Sequence, residues 1–175
     1  MYLKFFTFLI VLTNLFADAS IRPISTYSIV AYDEKTGELG VAVQSHWFSV
    51  GTVVPWAKAG VGAVATQSIA EPSYGPKGLA LMEQGIPADE VLKSLLAKDS
   101  GENVRQIGMI DANGNVGAHT GARCIRYAGH KIGKHYSVQA NIMEKPTVPN
   151  AMSKAFENAK GDLAERMLVA LEAAE

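Results

Sequence analysis

Thiol chemistry is almost missing from this chain of 175 residues: Cys124 is its only cysteine. No internal disulfide can form, so the fold must hold by packing alone, even in an oxidising compartment. No pattern around Cys124 supports a thiol nucleophile, and a quiet, partly buried cysteine is expected. Excess charge is lacking too. Lys and Arg number 16 against 17 Asp and Glu, a formal net charge of −1. Neither that balance nor any basic cluster points to nucleic acid as a partner. Metal-ligand spacing is also missing. His119, His130 and His135 match no zinc pattern, and the step from 130 to 135 places those two on opposite faces of a strand. No metal or cofactor is expected. Gly60-Val61-Gly62 lacks the Gly-Lys-Ser/Thr ending and the following helix of a phosphate loop. Beyond the first 19 residues, no apolar run approaches the roughly 20 residues a bilayer span needs.

What is present begins with a leader. Lys4 gives a positive start, residues 5–16 are mostly apolar, and Ala17-Asp18-Ala19 is an A-x-A cleavage site. Charge, core length and small-residue site agree better with a cleaved secretory signal than with an uncleaved anchor or a buried helix. The chain therefore reads as a signal peptide over 1–19 and one domain over 20–175, periplasmic or secreted, with Ser20 as the first mature residue. Residues 20–175 suffice for one domain with a real core.

The period of apolar residues then sets the elements. Residues 27–32 and 39–44 are β-rich and joined by a turn-forming hexapeptide, a hairpin. Residues 49–55 and 61–68 predict two more strands, the latter small-sided on both faces and suited to a closely covered central position. A short helix over 79–84 ends at Gly85, and Pro87 starts another with Asp89 and Glu90 in its first turn. Val91, Leu92, Leu95 and Leu96 form its apolar stripe. Strands return over 104–111 and 116–120, joined through Asn113-Gly114, a strong hairpin signal. A further strand covers about 135–143. The remainder is helical: Val148, Met152, Phe156 and Ala159 face one way. Asp162 with Glu165 forms a capping box ahead of a Leu163, Met167, Leu168, Leu171 stripe. Strands grouped before helices predict α+β with antiparallel sheets and helices on their outer faces. A four-layer αββα sandwich fits best.

Thr26 heads the first strand, and Thr26, Ser28 and Val30 share one of its faces. A hydroxyl residue in that place can become the chain's own N-terminus, where its α-amine serves as base for its own side chain. Strand Ser and Thr more often serve structure, so position alone does not make Thr26 catalytic. Ser45 and His46 are neighbours that point to opposite faces, so His46 is poorly placed as base for Ser45. Trp47, Phe48 and Trp56 flank a bend at Gly51 and can line a pocket, although core or edge packing is the commoner use. Asn141 on a late strand can donate its amide to an oxyanion, or merely hold a loop.

These residues resemble a known family. The opening Thr26-Tyr27-Ser28-Ile29-Val30-Ala31-Tyr32-Asp33 is followed by Thr36-Gly37-Glu38-Leu39-Gly40-Val41-Ala42-Val43-Gln44-Ser45. Next come Val54-Pro55-Trp56-Ala57-Lys58-Ala59-Gly60-Val61-Gly62-Ala63-Val64-Ala65-Thr66-Gln67 and Tyr74-Gly75-Pro76-Lys77-Gly78-Leu79. Arg105-Gln106-Ile107-Gly108, Tyr136-Ser137-Val138-Gln139-Ala140-Asn141-Ile142 and Leu163-Ala164-Glu165-Arg166 complete the pattern. Together they resemble the domain of unknown function 1028 family, over essentially everything after residue 25.

That family is placed with the N-terminal-nucleophile (Ntn) hydrolases. The resemblance implies the same αββα sandwich, and implies amide-bond hydrolysis with Thr26 as nucleophile. Asn141 is the candidate oxyanion donor, and Ser28 and Ser45 are the other candidates for the site. Signal cleavage leaves Ser20 first, so a second cut between Ser25 and Thr26 is needed to free the Thr26 amine. Family members usually continue past the last helix with a Gly-rich stretch and a final strand, so the domain is expected to lack that strand. The expected partner is a small amide or peptide-like substrate, with homo-oligomerisation left open. The other readings are a non-catalytic binding module of the same fold, suited to cell-wall peptide, and a domain for assembly through its sheet or helix faces.

Overall fold

Alternation along four central strands determines how the layers meet. The computed structural model describes residues 24–175. The leader over 1–19 and its cleavage site lie outside the described residues. Strands β1 (Thr26–Tyr32), β2 (Leu39–Ser45), β3 (Pro55–Lys58) and β4 (Gly62–Ser68) come first, then helices α1 (Tyr74–Glu83) and α2 (Ala88–Leu96). Strands β5 (Arg105–Asp111), β6 (Val116–Thr120), β7 (Gly129–Gly133) and β8 (Tyr136–Asn141) precede α3 (Val148–Asn158) and α4 (Leu163–Glu172). They form two antiparallel four-stranded sheets, ordered β2-β1-β8-β7 and β3-β4-β5-β6. The protein is thus mixed α+β.

Every second residue of β1 and β8 serves the helices. Tyr27, Ile29 and Ala31, with Tyr136, Val138 and Ala140, pack against Met152 and Phe156 of α3 and Leu163, Met167 and Ala170 of α4. On the other sheet, Val64, Ile107 and Met109 pack against Tyr74, Leu79 and Met82 of α1 and Val91 and Leu92 of α2. The alternate residues form a different cluster, in which Val30 of the first sheet meets Ala63, Ala65 and Ile110 of the second. Burying a Val or Ile side chain is worth about 1.5–3 kcal/mol, so these three clusters dominate the stabilising side.

The ends of the helices are held by particular side chains. The capping box of α4 is present: Asp162 accepts from the Glu165 N–H at 2.8 Å, and Glu165 accepts from the Asp162 N–H at 3.3 Å. Buried Asp111 accepts from the Ala88 N–H at the start of α2 and from both backbone amides, 113 and 115, of the Asn-Gly turn.

Several expectations are corrected. The strand expected over 49–55 is a 3-10 turn, Val50–Thr52, after Ser49 in the left-handed region at φ 57°, and the strand begins only at Pro55. Its β-branched residues mimic a strand, but Gly51 and the reversed backbone break the extension. Helix α1 starts five residues earlier than expected, because Pro76 is tolerated in a first turn. Gly75 there lies against the Trp56 ring, where a Cβ would overlap it. Strand β7 was hidden by its glycines, so four strands rather than about three follow α2. Leu168, assigned to the buried stripe of α4, is 56% exposed; Ala170 takes the inward place.

Candidate functional site

The first strand is clamped on both sides at its head. Thr26 pairs with Ser45 on β2 and with Asn141 on β8. The Thr26 and Ser45 hydroxyl oxygens are 2.7 Å apart. Ser45 Oγ also accepts from the Trp47 N–H at 3.0 Å, which leaves its own hydrogen free for Thr26. Ser25 precedes Thr26 in an ordinary peptide bond, its Oγ donating to the Ile142 carbonyl at 3.0 Å.

Beside Asn141 runs a buried chain of carboxamides whose orientation follows from the backbone. Gln106 Nε2 faces the Gly129 and Ala140 carbonyls at 3.1 and 2.9 Å, and carbonyls can only accept. Gln106 Oε1 must then turn the other way, where it accepts from Gln67 Nε2 at 2.7 Å and Asn141 Nδ2 at 3.0 Å. Both of those residues therefore present their amino ends to Gln106. The outcome is that Gln67 Oε1 and Asn141 Oδ1 are buried with no hydrogen-bond partner among the described residues. Asn141 Nδ2 retains a second hydrogen beyond the one given to Gln106.

Thr26, Gln67 and Asn141 line one cavity of about 390 Å3, together with Trp47, Phe48 and Ile125 among others. The backbone around it is strained. Ser49, Ser68 and Ile142 line the cavity with φ of 57°, 69° and 57°, three of the four positive-φ non-glycine residues among those described. For a β-branched residue such as Ile142 that conformation is costly, of order 1–3 kcal/mol, and such residues cluster at functional sites.

Not every candidate from the sequence arrives here. Thr26, Ser45 and Asn141 come together. Ser28 is fully buried further along β1, donating to Gln139 Oε1 at 2.9 Å, and does not line the cavity. Trp47 and Phe48 line it, but Trp56 packs under α1 with its Nε1 donating to the Val53 carbonyl at 2.9 Å. His46 is exposed and gives its backbone N–H to the Ser25 carbonyl at 3.2 Å. The other histidines are dispersed: His119 with the Glu102 carbonyl, His130 with Thr120, and His135 in the turn before β8 with Glu34. Cys124 is nearly buried, its Sγ 3.2 Å from the Arg105 carbonyl. Sequence reasoning missed Gln67 and Gln106. The available signal was a glutamine in each of two strands rich in apolar and small residues, Gln67 in β4 and Gln106 in β5.

A larger depression of about 560 Å3 lies over α1 and α2, with Glu71, Lys77, Lys98 and Asp99 in its wall. It contains none of the candidate residues. Nearby, Arg105 donates to Asp99 at 2.8 Å, and that hydrogen bond holds the Asp99 carboxyl below its ordinary range. Burial, with the Asp99 charge beside it, pushes the Tyr74 phenol up. On the other sheet, burial and a hydrogen bond to Glu157 raise Tyr136 to about 12.

Comparison with known proteins places the chain in a family. Residues 26–175 match a family of unknown function, DUF1028, and the chain belongs to it. A crystal structure of protein SPO2555 from Silicibacter pomeroyi, also described as DUF1028, is similar with a TM-score of 0.82 and 28% sequence identity. The similarity covers 86% of this chain and 70% of that one. No curated protein matches. Among the described residues, no helix is long and apolar enough to cross a membrane.

Proposed function

We propose that this protein is an exported amide hydrolase of the N-terminal-nucleophile type, with the αββα layering of that superfamily. The observation that carries the reading is Thr26 at the head of β1, on the wall of the 390 Å3 cavity, with its hydroxyl 2.7 Å from that of Ser45. The family match also begins at Thr26.

Hydrolysis of the Ser25–Thr26 peptide bond converts the Thr26 amide into a free α-amine. That amine takes the hydroxyl proton as Thr26 Oγ1 attacks the substrate carbonyl carbon. The second hydrogen of Asn141 Nδ2, with backbone N–H groups, stabilises the oxyanion. Collapse breaks the C–N bond, and the leaving amine takes the proton from the α-ammonium. Water, activated by the same amine, then hydrolyses the threonyl ester. Ser45 positions the nucleophile through its hydroxyl.

The test is Thr26→Ala, which is expected to abolish turnover and labelling by an amide-directed electrophile while circular dichroism stays unchanged. Thr26→Ser is expected to retain part of both. Turnover of Thr26→Ala at the unaltered rate contradicts the proposal. The binding-module reading has one observation in its favour: Asn141 is already engaged with Gln106. Ligand binding with no turnover in any form supports it instead.

A further inference from the structure

We propose that the cavity beside Thr26 seats the acyl side of the substrate, and that this acyl group is uncharged and apolar: an aliphatic or aromatic chain. The inference rests on the hydrolase reading for which side of the amide enters. The choice of chemistry comes from the wall.

Among the described residues, no charged side chain lines this cavity. Val50, Val53, Val54, Ile69, Ile125 and Ile142 give it aliphatic surface. Trp47 and Phe48 stand at the wall 63% and 92% exposed, large apolar surfaces left uncovered. A carboxylate or ammonium carried into such a site loses its hydration and meets no counter-charge, so the wall rejects it. That argues against a cell-wall peptide tail, which carries ionised groups. An apolar chain gains about fourfold in affinity for each methylene buried. The volume lies within the range of small-molecule sites, about 300–1,000 Å3.

Two further observations agree. The residue two before Thr26 is Ile24, whose side of the uncut chain already lines this cavity. The chain thus places an apolar group of its own there. The two unpartnered oxygens, Gln67 Oε1 and Asn141 Oδ1, belong to residues of the same wall. Neither oxygen is reached by solvent and neither carries a charge, so the wall behind the cavity offers an ionised acyl group no counter-charge.

The experiment measures binding to the form that begins at residue 26 and carries Thr26→Ala, so that it does not depend on turnover. Among the described residues, all the strands and helices lie within 26–175, so this form keeps every one of those elements. The probes are N-methylhexanamide, N-methyloctanamide and N-methylsuccinamic acid, followed by calorimetry. N-methyloctanamide is expected to bind at least about tenfold tighter than the acid, with the hexanamide between them. Ile125→Lys, at a position 54% exposed, is expected to shrink that preference about two- to fivefold by offering the acid a counter-charge. Ile69→Lys, also 54% exposed, repeats the test from another part of the wall. Equal or tighter binding of the acid, or no binding of any probe, overturns the inference. So does a preference that both lysine variants leave unchanged. Hydrolysis of the same probes by the unsubstituted Thr26-first form is scored separately. Apolar binding without hydrolysis removes the nucleophile and keeps the apolar seat. Hydrolysis confined to the acid keeps the nucleophile and removes the apolar seat.

Discussion

Gln106→Met is expected to destabilise the protein by roughly 3 kcal/mol, while Gln67→Met costs less than about 1 kcal/mol. The two residues are alike in type and burial, at 0% and 1% exposure, and they are hydrogen-bonded to each other. Their consequences differ because Gln106 is the hub. Its Oε1 accepts from Gln67 and Asn141, and its Nε2 faces Thr120 Oγ1 and two carbonyls. Methionine fills a similar volume but leaves two buried amino groups without an acceptor, at about 1.5 kcal/mol each. Replacing Gln67 deletes one bond to Gln106 and also deletes a buried oxygen that had no partner, so loss and relief nearly offset. The assay is urea unfolding of both variants, read at the midpoint with the slope unchanged. Equal costs for the two variants would refute the orientation assigned to the whole carboxamide chain, and with it the second hydrogen available on Asn141.

Gly75→Ala is expected to destabilise by about 1–2 kcal/mol, although alanine gains about 1 kcal/mol in helix propensity, because overpacking against Trp56 costs more. Thermal unfolding checks it, and a stabilised variant contradicts the packing of α1 on β3. Asp99→Asn is expected to lose about 1 kcal/mol at neutral pH. The Asp99 carboxyl is depressed in the fold, first by its Arg105 hydrogen bond. Its stabilising contribution is therefore complete above the unfolded value of about 3.9 and is lost as pH falls through the lower folded value. The gap between native and variant stabilities should close over that acid window; a constant gap contradicts the ion-pair account.

Local signals were legible in the sequence wherever one residue's chemistry decides the outcome. Asn113-Gly114 closes the β5–β6 hairpin, and Asp162 with Glu165 caps α4, because both devices act within a few residues. Alternation along β1 placed Thr26 and Ser28 on one face, but could not show that only Thr26 reaches the cavity. That difference is set by depth between the sheets. The start of α1 was obscured because Gly75, Pro76 and Gly78 read as a turn. Gly75 is instead required by the Trp56 ring, and Gly78 has Met109 and Val64 against it. The chain of Gln67, Gln106 and Asn141 joins residues 39 and 35 apart in sequence, so it needs the sheet registers before it can be seen. Leu168 belongs to the helical stripe by spacing, yet Leu163, Met167 and Ala170 are the α4 residues in the core and Leu168 stays outside it.

The central claim is that Thr26 works with its own freed amine. Two forms, one beginning at Ser20 and one at Thr26, are compared on a panel of N-acyl amides, with mass spectrometry confirming each N-terminus during the assay. The account predicts turnover by the Thr26-first form and none by the other while its Ser25–Thr26 bond remains intact, a difference of about four orders of magnitude or more. Equal turnover by both forms would contradict it, since an amide nitrogen cannot act as the base.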